Sequence, residues 1–192
     1  MANFNSYIDA IDMSFWQQIC AEHGTLHRLR KGESLTIPRA DAKRLKYAGI
    51  VKKGYFKYTV ADTDGNERIT GFSFSGTLVG DFLNIIDKTP VRTNIIAAVD
   101  TEAVLVPIEI VRKMLLSMPA MRHAMAEALF KQAYTTYTDI VRLTPEERYR
   151  ELLKRHPDIL QNISLKEMAS YLQITPTHLS RIRKSLTFNE GG

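Results

Sequence analysis

The side chains with most chemistry to offer stand together near the end of the chain: Thr175, Thr177, His178, Ser180, Arg181, Arg183 and Lys184. Hydroxyls and an imidazole can hydrogen-bond base edges, a guanidinium can take two acceptors at once, and an ammonium can neutralise a phosphate. Placed on a helix at roughly 100° per residue, Thr177, Ser180, Arg181 and Lys184 project from one side, with His178 and Arg183 on its flanks. Leu179, Ile182 and Leu186 fall on the opposite side. No acidic residue occurs between Glu167 and Glu190, so the outer face is short, polar and cationic.

Two elements must position that face. Leu165, Met168, Ala169 and Leu172 recur at i, i+3, i+4 and i+7, the apolar stripe of a first short helix with Ser164 at its N-cap. Gln173, Ile174 and Thr175 leave room only for a tight turn. Thr175 can cap the second helix, and Pro176 suits its first position, where an N–H would have no intrahelical partner. Two packed helices with a polar outer face can place the second helix in a DNA major groove. The same periodicity also suits a plain helical hairpin whose charged side faces water.

The string MASYLQITPTHLSRIRK, Met168 to Lys184, resembles the DNA-binding end of the cyclic-AMP receptor protein / fumarate-nitrate regulator (Crp/Fnr) family of bacterial transcription factors, most of all its Bacteroidetes branch. Gln173 stands where the family usually has glycine, a position that often needs positive φ. The resemblance implies that Arg181 occupies a guanine-reading position and that Arg183 and Lys184 meet phosphates. After Leu186 only TFNEGG follows, so the β-hairpin wing found in many members is expected to be missing and specificity to rest on the helix.

The chain's 192 residues, 44% hydrophobic and 24% charged, are those of a folded protein with room for one or two domains. A net charge of +5 favours an anionic partner without naming it. The single Cys20 excludes an internal disulfide framework and a cysteine-ligated iron–sulfur cluster held by one chain. No apolar run is long enough for a bilayer and the N-terminus carries acids in place of a basic region, so a cytoplasmic protein is expected.

A first helix over about residues 4–22 has Tyr7, Ile8, Ile11, Phe15, Trp16 and Ile19 on its apolar side. From residue 25 to about 107 short alternating runs separated by turn residues predict a small all-β barrel or roll, with a hairpin at residues 62–66. The resemblance makes this a cyclic-nucleotide-binding jelly roll, hence an α+β protein with a sensor over residues 1–118. In the family's nucleotide-binding members a glycine and a glutamate precede a short helix, and an arginine followed by serine or threonine comes after it. The carboxylate holds a ribose hydroxyl, the arginine pairs with the cyclic phosphate, and backbone N–H groups complete the cradle. The matching positions are Gly80, Asp81 and Phe82 and, after one extra residue of spacing, Arg92 and Thr93. Asp81 is one methylene short for the ribose, and Asn94 and Ile95 replace the usual small residue. Three readings stay open: a cyclic nucleotide, another small molecule, or a vestigial pocket in which Arg92 pairs with Asp81.

Catalysis is not expected. A metal enzyme on a β-roll needs clustered histidines and a carboxylate, whereas only His23 and His27 lie near strand sequence, and His123, His156 and His178 fall on or beside helices. There is no Ser–His–Asp order or glycine-rich nucleotide loop. A haem-based gas sensor, known in some branches of the family, stays open because haem histidines have no recognisable spacing.

A short helix over residues 109–118 precedes a long one over residues 119–142, in which Met121, Met125, Leu129, Ala133, Tyr137 and Ile140 form a stripe widened by Phe130, Tyr134 and Val141. So broad a stripe can lie on the roll with one side and on a second copy with the other. In the family this is the dimerisation helix. A two-fold dimer places two recognition helices one DNA turn apart, on a near-palindromic site. Thr135 and Thr136 are placed to reach an effector, as the same helix does in family members, or simply face water. Thr144 and Pro145 start the helix of the DNA-reading part, residues 143–192, after a hinge. The expected protein is thus a homodimeric DNA-binding regulator, with RNA polymerase as partner if it activates. The alternative is a ligand-sensing module whose helix-turn-helix contacts protein.

Overall fold

The structure, a computed structural model, describes residues 12–38 and 43–189. Helix α1 spans Met13–His23. Asp12 is extended and accepts a hydrogen bond from Ser14 N at 2.9 Å, so the helix starts one residue later, and Tyr7, Ile8 and Ile11 of the expected longer helix lie outside the described residues. Trp16 and Ile19 are almost wholly buried on the strands that follow.

The strands are β1 (Thr25–Leu29), β2 (Thr36–Pro38), β3 (Lys43–Leu45), β4 (Tyr47–Lys53), β5 (Tyr55–Ala61), β6 (Glu67–Phe74), β7 (Leu78–Val79), β8 (Asn94–Ala97) and β9 (Thr101–Pro107). They form sheets in the orders β1-β9-β4-β7 and β6-β5-β8, with β2 and β3 as a separate antiparallel pair. Val51, Phe56, Ile95, Leu105 and Val106 fill the space between, at 1% exposure or less, and make the roll one apolar core. The hairpin between β5 and β6 turns on Asp62, whose carboxylate accepts from Asp64 N and Asn66 N. Strand β6 carries an extra residue opposite Tyr58 and Thr59 and forms the sheet's edge. One helix interrupts the strands, α2 (Phe82–Asp87).

Helix α3 (Ile108–Leu116) follows the roll, and its buried Arg112 donates to the carbonyls of Ile85 and Asn84 at 2.7 and 2.8 Å, where cationic donors satisfy carbonyls at the end of α2. Helix α4 (Pro119–Arg142) has the expected bounds, and its broad apolar stripe divides between a covered and an uncovered side. Met125 and Ala128 are buried against the roll, while Phe130, Tyr134, Tyr137 and Val141 stand 67, 61, 68 and 70% exposed. The reason is the helical repeat: each step of four residues moves about 40° round the axis, so a row from Met121 has drifted roughly 160° by Tyr137. Ala133 and Tyr137, later in the same row, therefore face outward. The outward residues follow one another at spacings of four, three and four, the pattern of a coiled-coil contact strip.

Helices α5 (Pro145–Arg155), α6 (Ile159–Asn162), α7 (Leu165–Tyr171) and α8 (Pro176–Asn189) complete the chain. Thr144 and Ser164 each form a reciprocal capping box, with Glu147 and Glu167 respectively. Their core, including Tyr149, Leu152, Met168, Leu179 and Ile182, is continuous with Tyr55, Ile69 and Phe72 on the outer face of the β5–β6 sheet.

Candidate nucleic-acid interface and sensor cradle

Geometry at the turn between α7 and α8 fixes how α8 is presented. The amide of Ile174 donates to Ala169 O at 3.0 Å and that of Gln173 to Ser170 O at 3.1 Å, the paired bonds of a Schellman motif. This closure requires a left-handed residue, and Gln173 supplies it with φ 58 although it is not glycine. Thr175 then accepts from His178 N at 3.2 Å and opens α8. Leu179 and Ile182 are buried beneath, at 0 and 5% exposure. Thr175, Thr177, His178, Ser180, Arg181, Arg183 and Lys184 are all exposed, as one contiguous polar and cationic surface. Arg183 hydrogen-bonds the Tyr149 hydroxyl beneath α8, while burial pushes that phenol up against the pull of the Arg183 charge. It therefore also anchors α8 to α5, a pairing no local sequence signal announces.

The helix pair is fastened to the roll. Tyr55 Oη donates to Glu167 Oε2 at 3.1 Å, and the edge amide of Ile69 donates to Ser170 Oγ at 3.0 Å. Phe72 and Tyr171 pack with ring centroids 5.9 Å apart. Across the hinge, Arg148 donates to the carbonyls of Leu143 at 2.9 Å and Leu172 at 3.1 Å, and Arg155 pairs with the buried Asp139 at 2.9 Å. A cavity of about 240 Å³ lies between these elements, with Thr70, Thr135, Thr136, Arg148 and Arg155 in its wall. Thr135 and Thr136, expected to reach an effector or to face water, line this cavity, in which Gly80, Asp81, Phe82, Arg92 and Thr93 take no part.

In the roll, Asp81 caps α2, its carboxylate accepting from Asn84 N at 2.9 Å. Phe82 is half-buried against the core, and Ile95 is wholly within it. Arg92 is exposed and makes no ion pair with Asp81, the pairing of one of the open readings; the Asp81 carboxylate accepts from the helix amide instead. Thr93 Oγ1 is buried with no hydrogen-bond partner among the described residues. The Gly80 peptide is engaged from the other side by Tyr58, whose hydroxyl accepts its amide at 3.1 Å. Tyr58 was not singled out in the sequence, where it reads as one more strand aromatic.

The described elements are thus a β-roll, a long helix and a pair of short helices joined by a tight turn. No protein-family model matches the sequence, and no curated protein does. Among solved structures the chain is similar to FixK2 from Bradyrhizobium japonicum, with a TM-score of 0.72 and 21% identity over 87% of this chain and 86% of that one. It is also similar to the c-di-GMP responsive global regulator CLP of Xanthomonas campestris, at TM-score 0.65 and 15% identity over 93% of each chain. For the Thermus thermophilus catabolite activator protein the values are 0.55 and 17%, over 96% of this chain and 87% of that one. This chain has the fold of those Crp/Fnr regulators. Among the described residues no helix is long and apolar enough to cross a membrane.

Proposed function

We propose that the chain is a cytoplasmic, non-enzymatic transcription regulator of the Crp/Fnr type that reads a near-palindromic operator as a homodimer. The observation that carries this reading is the start and outer face of α8, where seven polar or cationic side chains are exposed over the buried Leu179 and Ile182. Arg181 is the guanine reader, in bidentate contact with O6 and N7, and Lys184 and Arg183 face phosphates. Thr175, Thr177, His178 and Ser180 supply the remaining contacts to bases and backbone.

The outward strip of α4, Phe130, Tyr134, Tyr137 and Val141, supports pairing with a second copy, since aromatic side chains at coiled-coil spacing are costly to leave in water. On this reading residues 1–118 are the sensor, 119–142 the dimer and coupling helix, and 143–192 the reader, with RNA polymerase as the further partner of an activator. Two readers related by a two-fold axis meet successive major grooves roughly 34 Å apart. The test is selection of sites from random duplex DNA by the purified protein without added ligand. A two-fold symmetric motif is expected. Failure to enrich any sequence, with or without cell extract, would overturn DNA reading.

A further inference from the structure

The exposed side chains at the start of α8 are not equally free. Thr175 accepts from His178 N at 3.2 Å as the helix cap, and Arg183 is held on the Tyr149 hydroxyl. Thr177, His178, Ser180 and Arg181 are exposed, and their side chains make no hydrogen bond or ion pair with the described residues. Thr177, Ser180 and Arg181 share one side of the helix, with His178 on its flank. Arg181 follows Thr177 by four residues, roughly 40° round and 6 Å along the axis, so the two reach base pairs within about two steps of 3.4 Å.

The chemistry of this face is one-sided. Between Gln173 and Asn189 the sequence holds no Asp, Glu, Asn or Gln. The nearest carboxylate, Glu167, accepts from Ser164 N and from Tyr55 Oη, and Gln173 lines the cavity beside α4 and α5. Bidentate reading of adenine needs a carboxamide, and acceptance from cytosine N4 needs a carboxylate. The Arg181 guanidinium supplies two parallel donors for guanine O6 and N7. The hydroxyls of Thr177 and Ser180 each make a single bond of either polarity and discriminate little, and the separated nitrogens of His178 also give one bond to a base edge. What Thr177 adds is a methyl group, which can meet the C5 methyl of thymine.

We infer that each operator half-site is specified by one guanine, read by Arg181, and by a thymine within about two steps of it, sensed through the Thr177 methyl group, with no pair read through adenine or cytosine. Thr177 is the residue that sets specificity beside Arg181. This two-base code rests on the DNA-reading function proposed above.

The test uses the full chain. Site selection from random duplex DNA should return half-sites with one G·C pair specified roughly 5- to 150-fold and, within about two steps of it, a T·A pair specified roughly fourfold. Replacing that thymine by uracil in one half-site removes the C5 methyl alone and should weaken binding roughly fourfold, while Thr177→Ser removes the partner methyl and should abolish the difference between the two operators. Thr177→Gln supplies the missing carboxamide and should add an adenine preference of roughly 5- to 150-fold at one pair of each half-site. Thr177 lies outside both the cap and the buried underside, so these variants keep the fold. A second pair beside the guanine specified as strongly as the guanine itself would overturn the code. So would the absence of a thymine preference there, equal binding of thymine and uracil operators by the parent, or a Thr177→Gln motif identical with the parent's. In each of those cases a symmetric motif is still enriched and DNA reading stands. Failure to enrich any sequence is a different result, which removes DNA reading and the code with it.

Discussion

Replacing Gln173 with glycine should stabilise the protein. At φ 58 a side-chain-bearing residue crowds the following carbonyl, at about 1–2 kcal/mol. Glycine removes that cost and adds about 0.5–1 kcal/mol of backbone entropy lost on folding, which leaves a net gain of about 0.5–1 kcal/mol. For a chain of this size the gain corresponds to a rise in Tm of roughly 1–4 °C. Both Schellman bonds use backbone atoms of Gln173, Ile174, Ser170 and Ala169, so they survive the change. Gln173→Ala is the control: it keeps the left-handed strain and should leave Tm within about 1 °C of the parent. Thermal unfolding followed by circular dichroism measures both variants. A glycine variant no more stable than the alanine variant would refute the argument that the turn is strained.

Arg181→Ala should flatten preference at one base pair of each half-site at about 1–3 kcal/mol, whereas Lys184→Ala should weaken all sequences alike and lower the salt slope by about 0.9; titrations of operator and scrambled DNA at several salt concentrations separate the two. Tyr137→Glu places a charge on a residue that is 68% exposed in the single chain, so the fold should persist while the dimer dissociates, and sedimentation would then report a monomer. Hydrogen bonds from Thr144 N and Oγ1 hold the Glu147 carboxyl below the usual carboxylate range. Since its folded value is depressed, the contribution is present above the unfolded value of about 4.3 and is lost as pH falls through the folded one. Glu147→Gln should therefore show a shallower fall of Tm with acid below about pH 4.3, and equal slopes would count against the cap.

Elements whose chemistry is local were legible in the sequence. Ser164, Thr144 and Thr175 mark their helix starts by type alone, and Pro119 and Pro145 mark theirs by lacking an N–H that the first turn would leave unused. The shortness of residues 173–175 announced a tight turn, but the positive φ at Gln173 was readable only through the resemblance, which has glycine there, and not from the side chain itself. What the sequence hides is pairing at a distance. Tyr55 and Glu167 are 112 positions apart, and nothing in either neighbourhood points to the other. Tyr58 and Gly80 are 22 apart, and the cradle glycine reads as open until the folded roll brings a phenol to it. The α4 stripe was legible as too broad for one surface, but which residues are covered was not, because steps of four drift round a helix and one row passes from the covered side to the exposed side.

The reader's attachment bears on how a signal could reach DNA. The hinge at Leu143 and Thr144 is not a free joint, because Arg148 reaches back from α5 to the carbonyls of Ile140 on α4 and of Leu143, and Arg155 ties α5 to Asp139 of α4. Swinging the reader away would break the Tyr55–Glu167 and Ile69–Ser170 bonds as well. At about 1 kcal/mol net for a neutral hydrogen bond and about 1.5–3 kcal/mol for one to a charged group, these contacts together hold the reader by several kcal/mol. A typical coupling free energy between ligand and distant site is about 1–3 kcal/mol, too little to release all of them at once. In the proposed dimer the economical motion therefore keeps roll, coupling helix and reader as one body and changes the angle at which the two α4 strips cross. The distance between the two α8 helices then follows from that angle, which makes the exposed Phe130–Val141 side of α4 the place where reader separation is decided.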